Sequence, residues 1–329
     1  MGGSHGRRDV TRDMTRGVEP TGLVSVVVPS YRRPERLMEC LDGIVASNHT
    51  PGEVIVVLRG DDRPSRHAVA ARGDDTRIVT VERPGVLEAM ACGARAAAGD
   101  VIVFFDDDAV PRPDWLGLIL GHLARPGVGG AGGRDIVSPA DDLQRVGTAG
   151  RLTWWGGLRG AHHRVAGPPR EVEVLKGANM AFRRDALALP VALLGEGAQA
   201  HFEVATCLWA RNHGWRLVLD PGAEVEHLPG PRFDADRRHT PSRRATFNAA
   251  YNLTCAVMTM CPRRAFARLA FGVAIGDRGI PGIGRSLLAA LTGDTTTALR
   301  VGHSVAGQLV AALHVLRGDR LQMLTFPRR

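Results

Sequence analysis

Apolar residues fall along this chain in short unbroken runs: residues 23–28 (LVSVVV), 54–58 (VIVVL), 77–81 (RIVTV) and 101–105 (VIVFF). Such β-branched runs, bounded by turn residues, read as buried strands. Between them the period changes. Residues 35–45 place Leu37, Leu41 and Ile44 on one helical face, and an alanine-rich helix is expected over 86–98. Strands apolar on both faces and alternating with helices predict a mostly parallel α/β sheet with helices on both sides. Sheets of this kind bind ligands beyond the carboxyl ends of their strands. The segments that stand out for composition, PSYRRPER, LRGDDRPS, ERPG and DDDAVP, all fall at such ends.

After Trp115 the pattern loosens into GVGGAGGRD and LTWWGGLRGAHHR, which read as Gly-rich and Trp-bearing loops. It tightens again at EVEVLKGANMAFRRDAL, in a helix over 202–213, and in the strand WRLVLD followed by PGAEVEH. From about Pro231 the composition becomes helical and rich in Arg, Ala and Leu. The expected organisation is a disordered leader over 1–22, one domain over 23–230 with halves at about 23–115 and 116–230, and a helical basic region over 231–329.

The end of the fourth run carries the first chemical signal. Asp106, Asp107 and Asp108 repel one another there, and burying such charges without a counter-charge costs roughly several kcal/mol each. A hard divalent cation takes oxygen ligands. On an extended strand end Asp106 and Asp108 share one side, while Asp107 points the other way, toward helix N-termini or backbone donors. A solvated acidic turn capping a helix that begins near Asp114 accounts for the same residues without a metal.

Four segments in order, VSVVVPSYRRPERL, RPGVLEAMACGARAAAGDVIVFFDDDAVPRPDWL, VLKGANMAFRR and EVATCLWARNHGWRLVLDPGAEVEH, carry a wider likeness. From Val24 to about His227 the chain resembles a family 2 glycosyltransferase of the GT-A fold, whose sheet is Rossmann-like. The resemblance implies a nucleotide-diphosphate sugar in the N-terminal half, with Mn2+ or Mg2+ on Asp106 and Asp108 and with His227 completing the coordination. It sets Pro29, Tyr31 and Arg33 at the nucleotide, and Asp107 beside Asp106 on its border, although a structural role for Asp107 is favoured. Gly85 would permit close backbone approach. Gly177, Ala178 and Asn179 would line the donor sugar after Lys176, and Trp154 and Trp155 would lie on acceptor loops. Where the family often has Asp-Asp-Gly-Ser, this chain has LRGDD, which moves the carboxylates to Asp61 and Asp62 and offers Arg59 to phosphate or base. The nucleobase is left open. Arg183 and Arg184 are expected as an exposed basic pair.

Inverting transfer needs a carboxylate to take the proton of the acceptor hydroxyl. The family's acidic pair falls on Phe202 and Glu203, and its later Asp on Ala205. Glu203 is therefore the candidate base, with Glu196 as the alternative. A plain helix-start charge is the structural reading of Glu203.

Composition refines this picture. Of 42 basic residues only Lys176 is lysine, and from Arg232 onward fifteen Arg face five Asp and no Glu. Such a surplus attracts phosphate on lipids or nucleotides, or is simply a solvated surface. Five cysteines without a C-x-x-C spacing indicate neither a disulfide framework nor a zinc site and fit a reducing cytoplasm. Residues 245–262 and 301–316 are uncharged but contain polar side chains; they are expected as helices lying on a membrane rather than crossing it. The expected acceptor is a glycan, a lipid-linked molecule or a small metabolite, met in the cytoplasm or peripherally at the inner face of the cell membrane. A catalytically inactive sugar-nucleotide or partner-binding module on the same fold is the alternative. Nucleic-acid binding has no motif behind it beyond charge.

Overall fold

Each apolar run becomes a strand of one sheet. β1 (Val24–Ser30), β2 (Glu53–Arg59), β3 (Arg77–Val81) and β4 (Val101–Phe105) are parallel, in the order β3-β2-β1-β4. The computed structural model describes residues 22–137, 147–230, 233, 236–237, 240–277 and 279–327, so all of the expected leader but Gly22 lies outside the described residues. β5 (Ala109–Pro111), β6 (Val128–Ile136), β7 (Arg170–Val172), β8 (Asn179–Arg183) and β9 (Arg216–His227) extend the sheet to nine strands. The order continues β4-β8-β6-β9-β5, with β7 also on β9; β9 runs parallel to β6, and β8 runs antiparallel to both of its neighbours.

Because side chains alternate along a strand, the two faces have separate cores. Val27, Ile55, Val57 and Phe104 meet α3 (Val86–Ala96), α5 (Phe202–Asn212) and α6 (Arg243–Met260) on one side. Val26, Val28, Val56 and Phe105 meet α1 (Pro34–Val45) and α4 (Trp115–Leu123) on the other. One more helix, α2 (Arg63–Arg72), was hidden in LRGDDRPS: Asp62 caps it, accepting from Ser65 N at 3.2 Å.

The expected loop GVGGAGGRD is instead the buried central strand β6. Its glycines answer to crowding rather than to turns. A Cβ on Gly132 would stand 2.8 Å from Asn179 O, and one on Gly133 only 1.7 Å from Ala223 O. The exposed Arg pair is also corrected. Arg184 is buried and donates to Ala94 O, Ala97 O and Gly99 O at the C-terminal end of α3, and Arg183 donates to Leu123 O and Val128 O. Last-turn carbonyls lack helical partners, so buried guanidinium donors serve there.

The C-terminal stretch folds back onto this body. α6 packs against α5 and against two later helices, α7 (Ala265–Ala274) and α10 (Val301–Leu316), with α8 (Ile283–Leu291) and α9 (Thr295–Leu299) lying between those two in sequence. α6 and α10 touch so closely that a Cβ on Gly307 would lie 2.4 Å from Phe247 O. Their uncharged residues are thus covered largely by protein, and no helix among the described residues is long and apolar enough to cross a membrane. The chain ends with Met323–Thr325 paired antiparallel to Ala188–Pro190. Replacing Gly133 by Ala should lower stability by about 1–3 kcal/mol, read as a reduced urea midpoint with an unchanged slope.

Candidate active site

The aspartates follow β4 in a turn, where Ala109 N donates to Asp106 O at 3.2 Å. Turn geometry, rather than the alternation of an extended end, therefore sorts the three carboxylates. Arg33, at the N-cap position of α1 with Pro34 opening the helix, reaches back across the sheet. Its guanidinium forks onto Asp107 Oδ1 and Asp108 Oδ2, each at 2.9 Å, and Gly230 N also donates to Asp108 Oδ2 at 2.8 Å. Asp107 is 1% exposed; burial pushes its carboxyl up to about 7 against the pull of Arg33. Asp107 is thus tied to Arg33 and also borders the cleft.

The other Asp108 oxygen faces His227 Nε2 at 3.0 Å. His227 ends β9, which bends by a register shift between Leu219 and Glu224, where Asp220 accepts from Gly222 N and faces His122 at 2.6 Å. Burial disfavours the charged imidazole, but Asp108 and Asp135 override it and raise His227 to about 9. Asp108 is held well below the ordinary range by His227 and Arg33 despite its burial. Asp106 is raised, first by burial and then by Asp108. Ligand atoms of Asp106, Asp108 and His227 all lie within 4.8 Å of one another. Two carboxylates and one imidazole form a donor set suited to Mn2+, and Mg2+ takes the carboxylates, so these residues fit the expected cation.

Beside this cluster opens a cleft bordered by Pro29, Tyr31, Arg33, Arg59, Gly85 and Asp106, with Val57, Val81 and Ala89 as its apolar floor. Arg59 lies over the Tyr31 ring at 4.3 Å, and Asp61 accepts from the Tyr31 hydroxyl at 3.0 Å. Gly85 has φ +130°, which L side chains rarely adopt. Across the cleft the loop 195–201 brings Glu196, Gly197 and Ala198 to the opposite wall. Gly197 O accepts from Val86 N, and Gln199 Oε1 from Leu87 N, so this loop satisfies the first turn of α3. Asn252 of α6 fixes the loop in turn, bonding Leu194 N, Leu194 O and Ala200 O within 3.0 Å.

Other expected residues are placed differently. The buried Asn179 side chain accepts from Trp115 Nε1 at 2.7 Å and donates to Ala223 O, so it ties β8 to α4. Ala178 O accepts from Asp106 N at 3.3 Å. Gly177 lies against Phe202, whose ring would stand 2.9 Å from a Cβ there; the aromatic residue at the family's first acidic position is a core side chain. Glu203 opens α5 with its side chain 19% exposed and His201 at 3.8 Å. Burial raises its carboxyl above the ordinary 4.5, with Lys176 and Asp106 close enough to contribute in opposite senses. Glu196 is exposed and paired with Arg244 at 2.6 Å. Trp154 and Trp155 meet Phe271 of α7, at 4.7 and 6.3 Å between ring centroids, away from the cleft lining.

Sequence reasoning missed Asp135, fully buried at the end of β6, with Oδ2 contacting both His227 Nδ1 at 3.1 Å and Lys176 Nζ. Its only signal was a carboxylate at the carboxyl end of a strand, concealed because GVGGAGGRD read as a loop.

The family model described as glycosyltransferase like family 2 matches residues 20–242, more than half of the 329. The chain belongs to glycosyltransferase family 2. Among solved structures, this family 2 chain is similar to the mannosyltransferase PcManGT of Pyrobaculum calidifontis in complex with GDP-Man and Mn2+ (21% identity, TM-score 0.51, 92% of this chain and 89% of that one). It is also similar to glucosyl-3-phosphoglycerate synthase of Mycobacterium tuberculosis with Mn2+, UDP-Glc and phosphoglyceric acid (18%, 0.51, 73% and 80%). These likenesses establish the GT-A fold. Among curated relatives, the O-antigen biosynthesis protein RfbC of Myxococcus xanthus is 30% identical over 145 residues, covering 43% of this chain and 11% of its own length. The glucosyl-dolichyl phosphate glucuronosyltransferase of Haloferax volcanii is 28% identical over 169 residues, covering 49% and 53%. The chain thus spans about a tenth of one and about half of the other.

Arg33→Met removes the guanidinium that faces two buried carboxylates. The expected loss is about 3–5 kcal/mol of unfolding free energy, measured by urea denaturation. Arg33→Lys should recover only part of it, because an ammonium cannot fork onto both aspartates.

Proposed function

We propose that this protein is a divalent-cation-dependent inverting glycosyltransferase that moves a sugar from a nucleotide-diphosphate sugar to an acceptor hydroxyl. The observation that carries this reading is the convergence of Asp106, Asp108 and His227 at the mouth of a cleft bordered by Tyr31, Arg59 and Gly85, in a family 2 chain. Asp106, Asp108 and His227 would hold Mn2+ or Mg2+, which offsets charge on the departing diphosphate. Tyr31 and Arg59 border the nucleoside, with Asp61 orienting the Tyr31 hydroxyl.

Glu203 serves as general base. Its carboxylate takes the acceptor's proton as the acceptor oxygen bonds to the anomeric carbon and the bond to the diphosphate breaks on the opposite face. Support comes from its place in the first turn of α5, within the electrostatic reach of Asp106 and Lys176. Glu196 borders the cleft, but Arg244 engages it.

A lipid-linked acceptor, met at a membrane surface, is the acceptor class favoured. Leu287, Leu288 and Leu291 of α8 and Phe266 of α7 are 61–86% exposed. Across 262–291 the exposed charged side chains, among the described residues, are arginines, a combination suited to an anionic interface.

Thermal shift with UDP-, GDP- and dTDP-sugars should raise the melting temperature for one nucleotide series, more strongly with Mn2+ present; no stabilisation in any series would count against the donor site. Glu203→Gln should lower kcat by about 10²–10⁴-fold while leaving that donor-induced shift intact. A variant with full turnover would eliminate Glu203 as base, whereas wild-type donor binding without turnover on any acceptor would favour a binding module. In the wild type the acid limb of kcat should fall above pH 4.5, because burial raises Glu203 and the base acts only when deprotonated.

A further inference from the structure

We propose that Asp135 is a positioning residue for cation binding, holding the His227 ring so that Nε2 faces the Asp106–Asp108 cluster, with Lys176 holding Asp135 in place. This rests on the proposed cation site but concerns residues that the family likeness did not point to. β6 and β9 are paired with Asp135 opposite Val225, two residues before His227. That register sets Asp135 Oδ2 3.1 Å from His227 Nδ1, while Nε2 on the far side of the ring stands 3.0 Å from Asp108 Oδ1.

Asp135 fixes Nδ1 on its own side of the ring, so Nε2, the nitrogen on the side of Asp108, is the one that would turn to a cation there; such partners typically change metal affinity by about 10–100-fold. Asp135 is fully buried, and His227 is 6% exposed, so water does not readily replace the contact. Lys176 reaches the same Asp135 oxygen from the segment just before β8.

The alternative is that Asp135 only balances the charge of Lys176. A double-mutant cycle separates the two. Mn2+ alone is titrated into the full chain and followed by electron paramagnetic resonance for wild type, Asp135→Asn, His227→Ala and the double variant. Asp135→Asn should weaken Mn2+ binding about 10–100-fold, and the double variant should bind about as weakly as His227→Ala alone. Asp135→Glu should recover part of the affinity, and it keeps the test open should the Asn variant fold poorly. Wild-type Mn2+ affinity in a folded Asp135→Asn, or losses that add fully to those of His227→Ala, would overturn the proposal while leaving the cation site standing. Absence of Mn2+ binding by the wild type would overturn both.

Discussion

The fork of Arg33 onto Asp107 and Asp108 is the contact on which the site depends. Three carboxylates where a buried strand ends are tolerable only if their charge is met within a few ångströms, and a planar guanidinium with parallel donors meets two at once. The geometry starts in the first strand–loop–helix unit: Pro34 opens α1, which sets Arg33 at the helix entrance facing the end of β4. With Asp107 and Asp108 fixed by Arg33, all three aspartates border the cleft. The bend in β9 then brings His227 to the remaining face of Asp108. Strand pairing and ion pairing converge on one point, and neither alone would bring Asp106, Asp108 and His227 together.

Much of the N-terminal half was legible because its physics is local. Unbroken β-branched runs and helical spacing mark β1 to β4, α1 and α3, and the carboxylates at the end of β4 announce themselves by like charge. The second half was harder because its deciding contacts are not local. β6 contains GGAGG because neighbouring backbone leaves no room for Cβ atoms, and a local reading takes such a segment for a loop. Arg183 and Arg184 looked like surface residues because nothing nearby in sequence shows that the C-terminal carbonyls of α3 will arrive beside Arg184. Phe202, which falls on the first position of the family's acidic pair, fills space against Gly177. Asp135 was concealed by the misreading of its own strand. In each case the deciding partner is distant in sequence, and no window on the chain contains it.

The region after Pro231 was expected as a separate, basic, helical unit, and the described part of it is bound into the body at several places. α6 covers the core beside α5, Gly307 allows α10 to approach α6, and the final strand pairs with Ala188–Pro190. Burial of Asn252 in the middle of α6 fits this arrangement, since its amide satisfies three backbone groups of the cleft-wall loop that would otherwise lack partners.

That one asparagine has a consequence for how the protein can diversify. The cleft wall is held by a helix 52–58 residues further along the chain, so the wall and that helix are not independently exchangeable parts. A chimera that borrowed its C-terminal helices from a relative would need to bring residues 194–200 with them, or supply the same amide. Replacing those helices would therefore be expected to reshape the cleft wall as well, so that the two regions are inherited together.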